Sequence, residues 1–246
     1  MLRSLKEILG YQILALNGDI GKVHDFFFDD GFWAIRYIVV DTGAWLPGRK
    51  VLLVPSALDK PEWEARALPV RLTKEQVKNS PEMDVDKPVY RQIEIALHEH
   101  FKWRPYWIPS PPGAVPPIPL ESEVEQEEGK LQVDSDDPHL RSVKEVMGYH
   151  IQAGDGEIGH VEEFIADDMT WFIRYMVVDT RNWLPGRKVL IHPGWIEQVG
   201  WGDSKVHVDL SREIIKNSPE YDPTAPVNRK YEERLYDFYG RPKYWK

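Results

Sequence analysis

Three groups of side chains in this 246-residue chain are of types that could do chemistry, and two of the groups occur twice. Asp29-Asp30 returns as Asp167-Asp168, a carboxylate pair of the kind that moves protons or holds a hard cation. Arg36 and Arg174 interrupt the apolar runs AIRYIVV and FIRYMVV, where a guanidinium could receive an anion or a partner's carboxylate. His98-Glu99-His100 is the one histidine cluster and has no counterpart in the second occurrence. Each has a plainer reading. Asp accepts backbone hydrogen bonds in turns, and a calcium site needs about six or more oxygens from a spaced acidic loop that is absent here. A strand arginine is rarely left unpaired, so an internal ion pair with Asp41, Asp179 or a helix acid is expected. Histidines at i and i+2 point to different helix faces and do not converge on a metal, so both are expected to be solvated.

The chain has no cysteine, which removes thiolate nucleophiles, disulfides and cysteine zinc sites. No histidine is shared between the two occurrences, so a Ser/His pair cannot stand at equivalent places in both. GDIGKV and GEIGHV lead into strands instead of opening helices, so they do not match a phosphate loop. We therefore expect no catalytic residues, no metal and no cofactor, hence no enzyme. The candidate interaction residues are those flanking a tight turn in DTGAWLPGRKVLLVP and DTRNWLPGRKVLIHP: Trp45, Leu46, Arg49 and Lys50, and Trp183, Leu184, Arg187 and Lys188. Exposed aromatics beside basic side chains are the composition of a protein-binding anchor; the same aromatics could pack on their own domain.

Those two stretches belong to a larger duplication. An offset of 138 holds without a gap from residues 2–107 to residues 140–245: LRSLKEILGY matches LRSVKEVMGY, WAIRYIVVDT matches WFIRYMVVDT, and KNSPE recurs. Two copies are too few for a solenoid, and two domains are expected: 1–107 and 140–246, joined by a linker over 108–139. Within each copy a capping-box pattern at Ser4 to Glu7 or Ser142 to Glu145 starts a short helix. Asn17-Gly18 and Asp155-Gly156 mark hairpins, and β-branched and aromatic runs supply further strands. Thr73 opens a short helix that Asn79-Ser80-Pro81 stops. The stripes Val89, Ile93, Leu97, Phe101 and Val227, Tyr231, Leu235, Tyr239 predict a terminal amphipathic helix. The expected fold class is mainly β with short helices: two repeated small antiparallel β-barrels, each with a C-terminal amphipathic helix.

The net charge of −9 lies mostly in the linker, where one lysine faces eight acidic residues; residues 1–107 carry 15 basic and 15 acidic side chains. Near-neutral domains lack the basic footprint of phosphate-driven nucleic-acid binding. The linker begins proline-rich and turns acidic, which reads as an extended spacer. No apolar run approaches the roughly 20 residues that cross a bilayer, and no signal peptide is evident. The expected location is cytoplasmic, with peripheral membrane association still compatible.

The ordered motifs GYQI, GDIGKV, RYIVVD, GRKVLLVP and LTKEQVKNSPE, each with its second-copy version, resemble the PRC-barrel family over about the first eighty residues of each unit. The tails ALHEHFKWRPYW and RLYDFYGRPKYW resemble an extension on stand-alone bacterial members. The resemblance implies a compact β-barrel related to the cytoplasmic domain of the photosynthetic reaction-centre H subunit and to the C-terminal domain of a ribosome-maturation factor. Those are docking and assembly modules. The function it implies is a non-catalytic interaction module with two tethered barrels, docking on a protein at a membrane-associated assembly. Two rivals are a small-ligand protein or enzyme with a site between the units, and an RNA- or ribosome-associated factor. Residues 33–41 and 171–179 are apolar on both alternating faces, so one face needs a cover: either the terminal helix or, as we expect, pseudo-two-fold pairing of the sister units.

Overall fold

The structure, a computed structural model, describes residues 1–82, 89–108, 139–180 and 187–245. Trp183 and Leu184, and all but the ends of the linker, lie outside the described residues. In chain order the first copy contributes β1 (Leu2–Ser4), α1 (Leu5–Ile8), β2 (Gln12–Ala15), β3 (Gly18–Asp29), β4 (Ala34–Asp41), β5 (Lys50–Leu53), β6 (Ala67–Pro69), α2 (Lys74–Lys78) and α3 (Arg91–Phe101). The second contributes β7 (Leu140–Ser142), α4 (Val143–Val146), β8 (His150–Ala153), β9 (Gly156–Asp167), β10 (Ile173–Asp179), β11 (Lys188–Ile191), β12 (Ile196–Gly200), β13 (Lys205–Val208), α5 (Arg212–Asn217) and α6 (Arg229–Tyr239).

Mainly β with short helices is what is found, in two sheets. The closed antiparallel barrels are not. One sheet runs β5-β4-β3-β2-β6 and the other β11-β10-β9-β8-β13-β12, each an open path among the described residues. Nor is pairing wholly antiparallel, since β2 pairs with β6 and β8 with β13 in parallel. The reason lies in the chain path. After the β2 to β5 meander, a crossover through the 3₁₀ turn Pro55–Ala57 brings β6 to the free edge of β2 in the same direction, and a parallel neighbour needs such a long connection.

The longest strands bend through bulges, β3 at Val23/Asp25 and β9 opposite Val177/Val178. Close approach at this bend explains the second glycine of GDIGKV and GEIGHV. A Cβ on Gly21 or Gly159 would lie 2.1 or 2.0 Å from the carbonyl oxygen of Asp41 or Asp179. Both glycines also have positive φ, 138° and 144°, where a side chain is disfavoured.

The compact units do not follow the repeat boundaries. One unit comprises Met1–Glu7 with Val143–Lys246; the other is Ile8–Ser142. β1 pairs with β9 in the register Leu2↔Asp167, Arg3↔Ala166, Ser4↔Ile165. β7 pairs with β3 as Leu140↔Asp29, Arg141↔Phe28, Ser142↔Phe27. β2 and β7 share one edge of β3: β2 holds its first residues and β7 its last, while β4 takes the other edge. Each unit's sheet is thus completed by the first strand of the other repeat.

The cover over β4 and β10 comes from within each unit. Tyr37 and Tyr175 are fully buried and hydrogen-bond to Glu94 of α3 and Glu232 of α6. The buried helix face runs through Glu94, Leu97 and His98, or Glu232, Leu235 and Tyr236, which is i, i+3, i+4 spacing. It therefore contains an acid that the apolar stripe omitted. No helix among the described residues is long and apolar enough to cross a membrane.

Candidate functional site

A carboxylate, two phenols and an arginine converge beneath the terminal helix of each unit. In Ile8–Ser142, Glu94 Oε1 accepts hydrogen bonds from Tyr37 Oη at 3.0 Å and Tyr106 Oη at 2.6 Å. Its Oε2 lies 2.9 Å from the Arg91 guanidinium and 3.4 Å from His139 Nε2. Arg91 stacks over Trp107 at 4.2 Å, and Arg36 over Tyr106 at 4.1 Å. In the other unit Glu232 accepts from Tyr175 at 2.9 Å and Tyr244 at 2.7 Å and pairs with Arg229 at 3.2 Å. There Arg229 stacks over Trp245 at 4.1 Å and Arg174 over Tyr244 at 4.4 Å. Apart from His139, every one of these positions is identical in both copies at the offset of 138.

Each cluster also holds one histidine beside its strand tyrosine, drawn from a different position. In the first unit it is His98 of α3, whose Nε2 is 3.0 Å from Tyr37 Oη. In the second, His98's place is taken by Tyr236, and His192 stacks on Tyr244 from the segment before the 3₁₀ turn Pro193–Trp195. Tyr37 gives its proton to Glu94 and meets the His98 ring nitrogen on its other side. Burial pulls the pKa of His98 down to about 4. Burial, with Arg174 nearby, pulls His192 to about 3, and its Nδ1 accepts from the Gly194 N–H at 3.0 Å. The expectation of solvated histidines is overturned for His98, which is buried because it lies one turn from Glu94 on the covered face. His100, two positions on, faces out and meets the Gln76 carbonyl at 2.9 Å.

The carboxyl of Glu94 is raised above its ordinary range by burial, against the pull of the two hydroxyls and Arg91. Tyr37 and Tyr106 are raised by burial and by Glu94 itself, so both remain donors. Two hydroxyls and a guanidinium aimed at one point would suit a substrate anion. Here that point is filled by the chain's own carboxylate, and Trp107 and Trp245 lie against the arginines that complete it.

The candidates identified in the sequence lie elsewhere. Arg49 donates from Nη1 to the Lys78 carbonyl at 2.6 Å and from Nη2 to the carbonyl and, at 3.1 Å, the hydroxyl of Ser80. Arg187 donates to the Ser218 carbonyl. Both arginines clamp the KNSPE segments of their own units, capping carbonyls at the ends of α2 and α5. Arg49→Ala should lower stability by about 1–3 kcal/mol; a urea midpoint unchanged from the parent chain would contradict the clamp. Lys188 pairs with Glu162 at 2.7 Å. Lys50 lies half-buried opposite Asp41. Trp45 and Leu46 lie beside the turn, with Lys74 over the Trp45 ring at 4.7 Å and the Thr42 hydroxyl bonded to the Leu46 carbonyl. Arg36 is ion-paired, but with Asp29 at 3.2 Å and not with Asp41. Asp29 also accepts from the Gly31 and Phe32 amides, as a turn aspartate does.

The sequence reading missed Glu94, Tyr106 and Arg91 and their counterparts. Their identity in both copies was the available signal, obscured because a helix glutamate three residues from an arginine looks like a solvated pair. Among the described residues no group of three or more His, Asp or Glu side chains is placed to hold a metal ion.

A groove of about 710 Å³ lies open in the Val143–Lys246 unit, between the chain before α6 and the outer face of that helix. Tyr221, Val227, Tyr231 and Phe238 supply its apolar surface; Lys230, Arg234 and four carboxylates border it. Phe238 is 41% exposed. Searched against protein-family models and against curated proteins, the chain matches none.

Proposed function

We propose that this chain is a non-catalytic docking module, PRC-barrel-like in kind, whose two tethered units present surfaces to another protein. The observation that carries the reading is the occupancy of the shared polar cluster. Its donors are satisfied by Glu94 and Glu232, so the residues repeated in both clusters hold the terminal helix to the sheet. A pair of phenols that already binds an internal carboxylate has no free donor for a substrate.

The groove beside α6 supplies the docking surface. Aromatic side chains bury large areas at low entropic cost, and an aromatic floor bordered by carboxylates suits an extended apolar segment with basic flanks. Such a contact belongs to this unit alone, because Phe238 stands where the first copy has His100, and Asn228 and Glu233 stand where it has Tyr90 and Ile95.

The test places a photo-crosslinking residue at Phe238 or, as a control, at the exposed Glu197, in the full chain expressed in its native host. One protein captured at position 238 only, and lost when Tyr231→Glu is added, is the expected result. Identical capture profiles at both positions would overturn the assignment of the groove.

A further inference from the structure

The exchanged first strands carry a second, independent inference, which does not rest on the docking reading. Both slots read their guest in the same way. In one, Arg3 Nε donates to Asp168 Oδ2 at 3.2 Å and the Ser4 hydroxyl donates to Glu163. In the other, Arg141 Nε donates to Asp30 Oδ2 at 2.9 Å and the Ser142 hydroxyl donates to Asp25. The guest residues are identical, Leu-Arg-Ser at 2–4 and at 140–142, and so is the register. A fully buried residue, Leu5 or Val143, follows each guest in the chain.

Within the three guest residues the slots have no contact with which to tell one repeat's strand from the other's; the residue before each guest differs, Met1 with its amino group on Asp168 and His139 against Glu94 and Tyr106. We infer that the edge of β9 opposite β10, and the matching edge of β3, is a strand-accepting site for a Leu-Arg-Ser segment, and that a second copy of this chain is its intermolecular partner. Within one molecule the covalent tether supplies a high effective concentration and the monomer wins. When the strands are released at high protein concentration, the same contacts form between molecules, as in domain swapping. A vacant slot leaves the Asp168 amide without the Met1 carbonyl to which it donates, the liability of any open sheet edge.

Full-length chains with complementary charge swaps test this. The first chain carries Arg3→Asp, so its strand is repelled by its own Asp168. The second carries Asp168→Arg, so its slot repels its own Arg3. On mixing, the substituted strand of the first chain suits the substituted slot of the second, and the native strand of the second suits the native slot of the first. Co-refolded at high concentration and sized by light scattering, the mixture should hold roughly tenfold more heterodimer than either chain alone holds homodimer, a ratio equivalent to about 1.4 kcal/mol. A single chain carrying both substitutions should be monomeric and more stable than either single variant. If either single variant does not fold alone, recovery of folded protein on mixing reads the same exchange. A mixture no richer in dimer or folded protein than its components, or a double variant no more stable than the singles, would overturn the proposal.

Discussion

Glu94→Ala should be among the most destabilising single substitutions in the Ile8–Ser142 unit, lowering its stability by about 3–5 kcal/mol. The carboxylate is fully buried and is the acceptor for Tyr37 and Tyr106 and the counter-charge for Arg91. Its removal strands two buried hydroxyls and a mostly buried cation, and each such group costs more unsatisfied than its hydrogen bond returned. Glu94→Gln keeps an oxygen for the phenols and loses only the ion pair, so its cost should be smaller, about 1–2 kcal/mol. Ile95→Ala is the control, because Ile95 is adjacent and 41% exposed. Trp103 and Trp107 lie in this unit and report its urea transition. If Glu94→Ala unfolds at the same urea concentration as Ile95→Ala, the cluster is not what holds α3 to the sheet.

Acidification should destabilise both units, through one histidine in each. The folded pKa of His98 is about 4, against 6.5 for the free side chain. Well above pH 6.5 neither state is protonated there, and the contribution is constant. Between 6.5 and about 4 the unfolded chain takes up a proton that the folded unit resists, so stability falls as pH falls. At about 1.36 kcal/mol per pH unit the loss is about 3 kcal/mol. His192, held at about 3, gives a loss of about 5 kcal/mol in the Val143–Lys246 unit over a window reaching further into acid. Glu94 acts in the opposite sense. Its folded form holds a proton more tightly than the unfolded chain does, so its contribution rises as pH falls through that raised value and offsets part of the loss in its own unit. The measurement is the urea midpoint from about pH 7.5 to 3, the span over which the two imidazoles titrate. His98→Phe should flatten the profile of the first unit only, and His192→Phe that of the second. A double variant with the parent's pH dependence would show that neither histidine is responsible.

Much of this architecture was legible along the chain because it is governed by neighbours in sequence. Thr73 caps α2 with a full capping box to Gln76. The turn after Leu46 closes as Arg49 N–H to Leu46 carbonyl, with Gly48 at positive φ. The Asn17-Gly18 turn joins β2 to β3. Turn chemistry, caps and strand alternation are local, so a single copy of the sequence specifies them. The duplication itself needed no structure.

The elements that escaped are the ones fixed by distant partners. His98 reads as a solvated helix residue until Tyr37, 61 positions away, is placed against it. Arg49 and Arg187 read as a basic surface until the ends of α2 and α5 return to accept their protons. The acid of each cluster sits on a helix, the phenols on a strand and a tail, and the histidine on whichever element had room for a ring. By itself the sequence determined the strands, the caps, the two copies and the absence of any cysteine chemistry. Only the tertiary structure decided which polar groups are buried together and which repeat completes which sheet. The physical reason is that the Leu-Arg-Ser strand makes the same kinds of polar contact in either slot, so which sheet it completes is set by the path of the chain in space and by flanking residues such as His139.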